Sequence, residues 1–217
     1  FLTLQEGDPI PYIKRRVALV YPLFKMIFKK ADRIQAISRY LAEFATSMGF
    51  RGHSVDIPNG VSYDHFSKPI SLEHREKLRS RFGFQTKDIV LCTSSRLVVK
   101  NGVGDIIDAL EFLPQQYTLL IMGIGILEVS LKQKAKKYGK RVVFAGFIHH
   151  EQLPELLHAS DVFVRPSLSE GLGNSFLEAM AAEIPIVGTT VGGISDFLVD
   201  GQTGCVCQPN NPKSVAQ

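Results

Sequence analysis

Apolar and polar positions follow two periods along this chain. From Ile89 onward, short apolar runs fall at Ile89–Thr93, Tyr117–Met122, Val142–Ala145, Val162–Val164, Ile186–Gly188 and Gly204–Val206, with helically spaced stretches between them. Runs of that length bounded by turn residues read as buried strands. Strands alternating with helices predict an α/β fold, a parallel sheet with helices on both faces and right-handed connections. Ligands of such sheets bind beyond the carboxyl ends of the strands. That edge is reached by the loops starting at Ser94, Gly123, Gly146, Pro166 and Thr189.

The first third is patterned differently. Residues 1–7 read as a strand ending at Gly7, and Asp8, Pro9 and Pro11 as a loop. Over residues 12–30, Val17, Val20, Leu23, Phe24, Ile27 and Phe28 make a helical stripe, with Pro22 placed to kink or split it. Lys14, Arg15, Arg16, Lys25, Lys29 and Lys30 occupy the other positions. The simplest reading is a solvated helix packed on its own domain; a helix lying on a membrane surface is the alternative. Ala31–Ala36 reads as a strand, Ser38 as the cap of a helix over Arg39–Met48, Ser54–Ile57 as extended, and Pro58-Asn59-Gly60-Val61 as a turn. A further helix is expected over Leu72–Arg81.

The stretch Arg165–Gly193 carries the candidate chemistry. A buried strand, a loop with Gly171 and Gly173, and a helix with Phe176, Leu177, Met180 and Ala181 on one face follow in that order. Amides at a helix start lack intrahelical partners, and the macrodipole adds positive potential, so this order predicts an anion site. Glycines let backbone approach the ligand closely. Glu170 precedes the loop and Glu178 lies one turn into the helix. A carboxylate beside a phosphate repels it. Two carboxylates flanking an anion site therefore suggest a ligand with hydroxyls on both sides of its phosphates, the shape of a nucleotide sugar.

Composition narrows the picture. The chain has 217 residues, 45% apolar and 21% charged, as in ordinary globular domains. Its charge of +4 is uneven: residues 1–40 hold eight Lys or Arg against three acids, and the rest seventeen against eighteen. With the basic excess confined to one segment, no nucleic-acid surface is expected. Cys92 reads as a buried thiol, Cys205 and Cys207 as neighbours on one strand face; no Cys/His set has zinc spacing. A reducing cytoplasm fits this usage. No apolar run reaches the roughly eighteen residues of a membrane span. A start without Met and an end in a helical first turn read as a fragment.

The segment EGLGNSFLE, with Glu170 and Glu178 seven residues apart, resembles the E-x7-E signature of retaining GT-B glycosyltransferases, family 4 in particular, and the surrounding PSLSEGLGNSFLEAMAAEIPIVGTTVGG is similar to that family almost throughout. The resemblance implies the doubly wound, Rossmann-like donor domain of a GT-B fold. It assigns residues 1–50 to the acceptor-side domain, 51–66 to the crossing and 67–217 to a truncated donor domain. It implies that Glu170 holds hydroxyls of the donor sugar, that Glu178 holds the ribose, and that Gly171, Leu172, Gly173, Asn174 and Ser175 cradle the diphosphate and sugar. Ser94–Gly102 resembles the family's Arg-Leu-Val…Lys-Gly motif, with Arg96 and Lys100 as the cations on the leaving diphosphate. The family's lysine position is Asn101 here, and Lys100 is one earlier. Gly123-Ile124-Gly125-Ile126 resembles the Gly-Asp-Gly-Pro turn, and Phe147 stands at the donor base. Thr3-Leu4-Gln5-Glu6 resembles the acceptor-side strand, with Gln5 in place of the usual histidine and Glu6 beside it. No Asp-x-Asp pair is present to hold a metal, so no metal site and no cofactor are expected. The implied reaction moves a hexose from a UDP- or GDP-linked donor to a hydroxyl of a glycan, lipid or small molecule, with retention. A cytoplasmic place, with peripheral contact at the inner membrane face as a further expectation, goes with it. A sugar-nucleotide epimerase and a non-catalytic nucleotide-sugar-binding module remain as alternatives.

Overall fold

The computed structural model describes residues 1–217, which pack as two units. The first comprises Phe1–Gly60 with two later segments, Ser169–Gly173 and Thr190–Phe197. Its elements are β1 (Leu2–Leu4), α1 (Ile10–Arg16), α2 (Tyr21–Lys30), β2 (Arg33–Ala36), α3 (Arg39–Ser47) and β3 (His53–Asp56). The three strands form a parallel sheet in the order β1-β2-β3. Phe28, Ile34, Phe44, Ala45, Met48 and Phe50 make its core. Phe28 sits edge-on to both Phe24 and Phe44, with ring centroids 5.3 and 5.6 Å away, the geometry aromatic quadrupoles favour.

One expectation for this unit is corrected and another is made definite. The strand at the start stops at Leu4 rather than Gly7, because the Glu6 carboxylate turns back and accepts from the amides of Gly7 and Asp8, both at 2.7 Å. The helical stripe is split, as Pro22 allowed, into two helices joined by a 3-10 turn at Ala18–Val20; Pro22 itself falls in the first turn of α2, where a missing N–H is harmless. Phe28 is buried, whereas Leu19, Val20, Leu23 and Ile27 are exposed. The cap at Ser38 forms as expected, its Oγ accepting from Leu41 N.

The second unit comprises Val61–Leu168, Asn174–Thr189 and Leu198–Gln217. Along the chain it runs α4 (Tyr63–Phe66), α5 (Leu72–Arg81), β4 (Ile89–Ser94), α6 (Val103–Ala109), β5 (Tyr117–Met122), α7 (Glu128–Ala135), β6 (Val142–Gly146), α8 (Leu153–His158), β7 (Val162–Arg165), α9 (Asn174–Ala181), β8 (Ile186–Gly188), β9 (Cys205–Val206) and α10 (Pro212–Val215). All six strands are parallel, in the order β6-β5-β4-β7-β8-β9. In this sheet's own sequence that is 3-2-1-4-5-6, the dinucleotide-fold order whose direction of winding reverses between β4 and β7. The central strands β4, β5 and β7 are nearly continuous apolar runs because both faces are covered. Leu97, Ile106, Ile107, Leu119, Ile121 and Val164 form the core on one face.

Here the apolar pattern was a good guide, with departures at strand ends and at the cysteines. β4, β6 and β7 each run one residue past it, to Ser94, Gly146 and Arg165, and Arg165 pairs with Gly188. Cys205 and Cys207 do not share an environment, since Cys207 lies beyond the end of β9 and is buried while Cys205 is exposed. No helix is long and apolar enough to cross a membrane.

Candidate active site

Where winding reverses, the loops after adjacent strands leave in opposite directions and open a crevice. The loop after β4 carries Arg96 and Lys100; β7 leads on to α9. The two connections touch backbone to backbone. Gly102 has φ +67°, and a Cβ there would lie 2.1 Å from the Pro166 carbonyl oxygen. Leu168 N donates to Lys100 O at 2.7 Å. The turn after β5 presses on the same loop: a Cβ on Gly123, at φ +133°, would lie 1.9 Å from Ser95 O, and one on Gly125 2.4 Å from Leu97 O. Glycine at 123 and 125 is thus required by protein backbone, whatever else approaches the turn.

The loops after β4, β5 and β6 enclose a cleft of about 270 Å³ lined by Ser94, Ser95, Arg96, Met122, Gly123, Ile124, Phe147 and Ile148. The structure therefore brings together Arg96, Gly123 and Phe147 from three different loops. Phe147 is 62% exposed, so it is not a core residue. Ser95 Oγ is buried without a hydrogen-bond partner beside the cleft, an arrangement that leaves a donor for an incoming group.

Arg96 projects into solvent, and Lys100 is half-buried in a 3-10 turn, Val99–Asn101. Asn101, where the resemblance expects lysine, is buried. Its Nδ2 donates to Arg96 O at 2.7 Å, and its Oδ1 accepts from Arg165 Nη2 at 3.0 Å. Arg165 Nη1 donates to Ser175 Oγ in the first turn of α9. Sequence reasoning had no role for Arg165, because the apolar run was read as ending at Val164. A cation closing a buried strand just before a proline was the available signal.

Within α9, Phe176, Ala179 and Ala181 are buried, while Leu177 and Met180 are only half-buried. Glu178 is 18% exposed and faces His150, its Oε1 3.9 Å from Nε2. Burial pushes the Glu178 carboxyl up from its ordinary value, against the opposing pull of His150 and Arg165. The His150 ring stacks on His65, centroids 5.2 Å apart and 18° from coplanar, and Phe66 meets it edge-on. His149 instead packs on Phe147. The two histidines diverge, as adjacent residues should, but His150 borders a candidate site residue, which the sequence reading missed.

The segment Ser169–Gly173 belongs to the first unit. Glu170 is buried, and its carbonyl is covered by the Gly192-Gly193 pair: Gly193 N donates to it at 3.2 Å, and a Cβ on Gly192 would lie 1.9 Å from it. Leu172 is buried too. The close approach that Gly171 permits is to protein, the Glu6 carbonyl, 2.4 Å from where its Cβ would be. Ser169 Oγ donates to Gly7 O at 3.1 Å. Hence Gln5 and Glu6 follow the end of β1 beside the loop bearing Glu170. Gln5 is exposed, whereas Glu6 is engaged with its own backbone.

A family profile described as glycosyl transferases group 1 matches residues 74–217. The chain belongs to this family. Among the group 1 glycosyltransferases similar to it is the GDP-mannose-dependent α-(1-6)-phosphatidylinositol monomannoside mannosyltransferase of Mycolicibacterium smegmatis, 33% identical over 195 residues, 84% of this chain and 50% of the relative. The corresponding monoacylated-substrate enzyme of Corynebacterium glutamicum is 28% identical over 207 residues, 89% of this chain and 53% of its own length. The chain thus spans about half the length of these curated relatives. The Anabaena protein HepE, solved with UDP and glucose, superposes with a TM-score of 0.82 at 25% identity, covering 90% of this chain and 55% of its own. The GT-B relationship and the Rossmann-like sheet of this group 1 chain accord with those matches.

Proposed function

We propose that this chain is the donor-binding part, with a piece of the acceptor side, of a transferase that moves a hexose from a UDP- or GDP-linked sugar to an acceptor hydroxyl of a glycan or lipid, with retention of configuration. The observation that carries the reading is the convergence of Arg96, Gly123 and Phe147 on one cleft at the carboxyl ends of β4, β5 and β6. The cleft takes the base against Phe147. Glu178 accepts from the ribose hydroxyls, and the first-turn amides of α9 with Gly171, Leu172, Gly173, Asn174 and Ser175 hold the diphosphate and sugar. Glu170 is assigned to the sugar hydroxyls. Arg96 and Lys100 stabilise the charge that grows on the departing diphosphate. That is the task a metal performs in other transferases, and the chain has no Asp-x-Asp pair to hold one. The relatives' named donor and lipid acceptor support a GDP-mannose-like donor, and HepE's ligand supports a UDP-sugar; a titration with both decides. The six cations of residues 12–30, with exposed Leu19, Val20, Leu23 and Ile27 among them, support peripheral contact with an anionic membrane at its cytoplasmic face.

The test is calorimetric titration with UDP-glucose, GDP-mannose and their diphosphates. One donor should bind selectively, and Glu178→Ala should weaken it about tenfold or more, as expected for loss of hydrogen bonds to a charged group. Unchanged affinity in Glu178→Ala sinks the ribose assignment. In the full-length enzyme, Arg96→Ala should lower kcat with little change in donor affinity, and the anomeric proton coupling of the product reads the stereochemistry.

A further inference from the structure

One side chain ties both connections of the crevice together. Arg165 closes β7, is 9% exposed, and sends Nη2 to Asn101 Oδ1 at 3.0 Å and Nη1 to Ser175 Oγ. Asn101 passes the link on, donating to Arg96 O at 2.7 Å. The carbonyl of the residue bearing the candidate leaving-group cation is therefore held from the end of β7, and so is the first turn of α9. A guanidinium has donors only. In its bond to Ser175, the hydroxyl oxygen must be the acceptor, which leaves the serine proton to be given elsewhere. A guanidinium is also charged at every accessible pH, and burying one is expensive. A neutral amide could link two loops more cheaply.

We propose that Arg165 is a positioning residue for the diphosphate of the donor: it orients the Ser175 hydroxyl as a donor towards the phosphates, holds the Arg96 loop through Asn101, and adds fixed positive charge behind the start of α9. This rests on the reading of α9 as the diphosphate cradle. The charge is felt along the helix, where Arg165 opposes the upward push of burial on Glu178. The position expected to carry a lysine is neutral Asn101, and its side chain is turned to the arginine.

NMR titration separates this role from a purely architectural one. The probes are UDP and GDP, with uridine and guanosine as phosphate-free controls. Arg165→Met should lower affinity for the diphosphate that the parent chain binds by about tenfold to a hundredfold, the range for charge-assisted hydrogen bonds. Nucleoside affinity should move less than about twofold. Arg165→Lys, which keeps charge without the fork, should fall between. Ser175→Ala leaves the guanidinium in place and should lose about threefold to tenfold on the diphosphate alone. If Arg165→Met does not fold, Arg165→Lys and Ser175→Ala decide by the same ratio. Unchanged diphosphate affinity, or equal losses on diphosphate and nucleoside, overturns the proposal. A parent chain that binds neither diphosphate overturns the cradle reading first, and this inference with it.

Discussion

Gly102→Ala tests whether the contact between the β4 and β7 connections organises the crevice. Alanine at φ +67° adopts a left-handed conformation, which costs about 1–2 kcal/mol. Its methyl would lie 2.1 Å from Pro166 O, where Cβ atoms essentially never come closer than 3.0 Å, so the two backbones must separate by nearly an ångström. Over-packing of that kind costs about 1–3 kcal/mol more. The total is about 2–5 kcal/mol, or a fall in Tm of roughly 4–20 °C at about 2–4 °C per kcal/mol for a chain of this size. Gly83→Ala is the matched control: its φ is +80°, and nothing lies within 4 Å of the added methyl. It should show only the conformational part, about 1–2 kcal/mol. Differential scanning calorimetry gives both values, and titration of the selected nucleoside diphosphate shows whether Gly102→Ala also loses ligand. Equal Tm shifts in the two variants, with ligand affinity intact in both, would refute the claim that the loop contact shapes the site.

Three further outcomes are expected. Because the Glu178 carboxyl is raised, the folded chain holds a proton there that the unfolded chain releases, between the ordinary value of 4.5 and the raised one; this group's contribution to stability falls as pH rises through that window. Glu178→Gln should accordingly raise Tm at neutral pH, lose that advantage below 4.5, and still weaken donor binding; a lower neutral Tm would contradict the burial argument. Asp161 accepts from Arg75 Nη2 and Arg79 Nη2, both at 2.6 Å, and from Val90 N at 2.7 Å. Asp161→Ala would strand the buried Arg79 and should cost about 3–5 kcal/mol in urea unfolding; a loss under about 1 kcal/mol, the worth of an exposed pair, would count against it. Finally, a thiol reagent should label Cys205 alone in the native chain, since burial pushes Cys92 up to about 12 and Cys207 up to about 11. Rapid labelling of three thiols would show those burials to be wrong.

The sheet of the second unit was legible because its central strands are buried on both faces and so appear as unbroken apolar runs, with helix-spaced stretches between. Leu72–Arg81, Tyr117–Met122 and Ile186–Gly188 fall where the pattern put them. The Glu170–Glu178 spacing and the Ser38 cap could be read too, because both are local. Pro22 announced a break in the first helical stripe, but the place of that break, Ala18–Val20, and the early end of β1 could not be read, since each turns on a few backbone bonds that competing local patterns share. In the turn after β5, Gly123 was a donor-side candidate by its motif; only folding showed the Ser95 carbonyl pressed against it.

Chain order alone established that strands and helices alternate, that a glycine loop opens onto a helix flanked by two acids, and that positive charge gathers in the first forty residues. It left the strand order open, because periodicity says which face of an element is apolar and nothing about which element lies beside it. Tertiary pairing placed β4 next to β7 across the 67 residues of intervening chain, and that adjacency set Arg165 against Asn101 and Ser175. A hydrogen bond between residues so far apart has no signature in local sequence. It exists only once the sheet has closed and burial has left a guanidinium no water to bond instead.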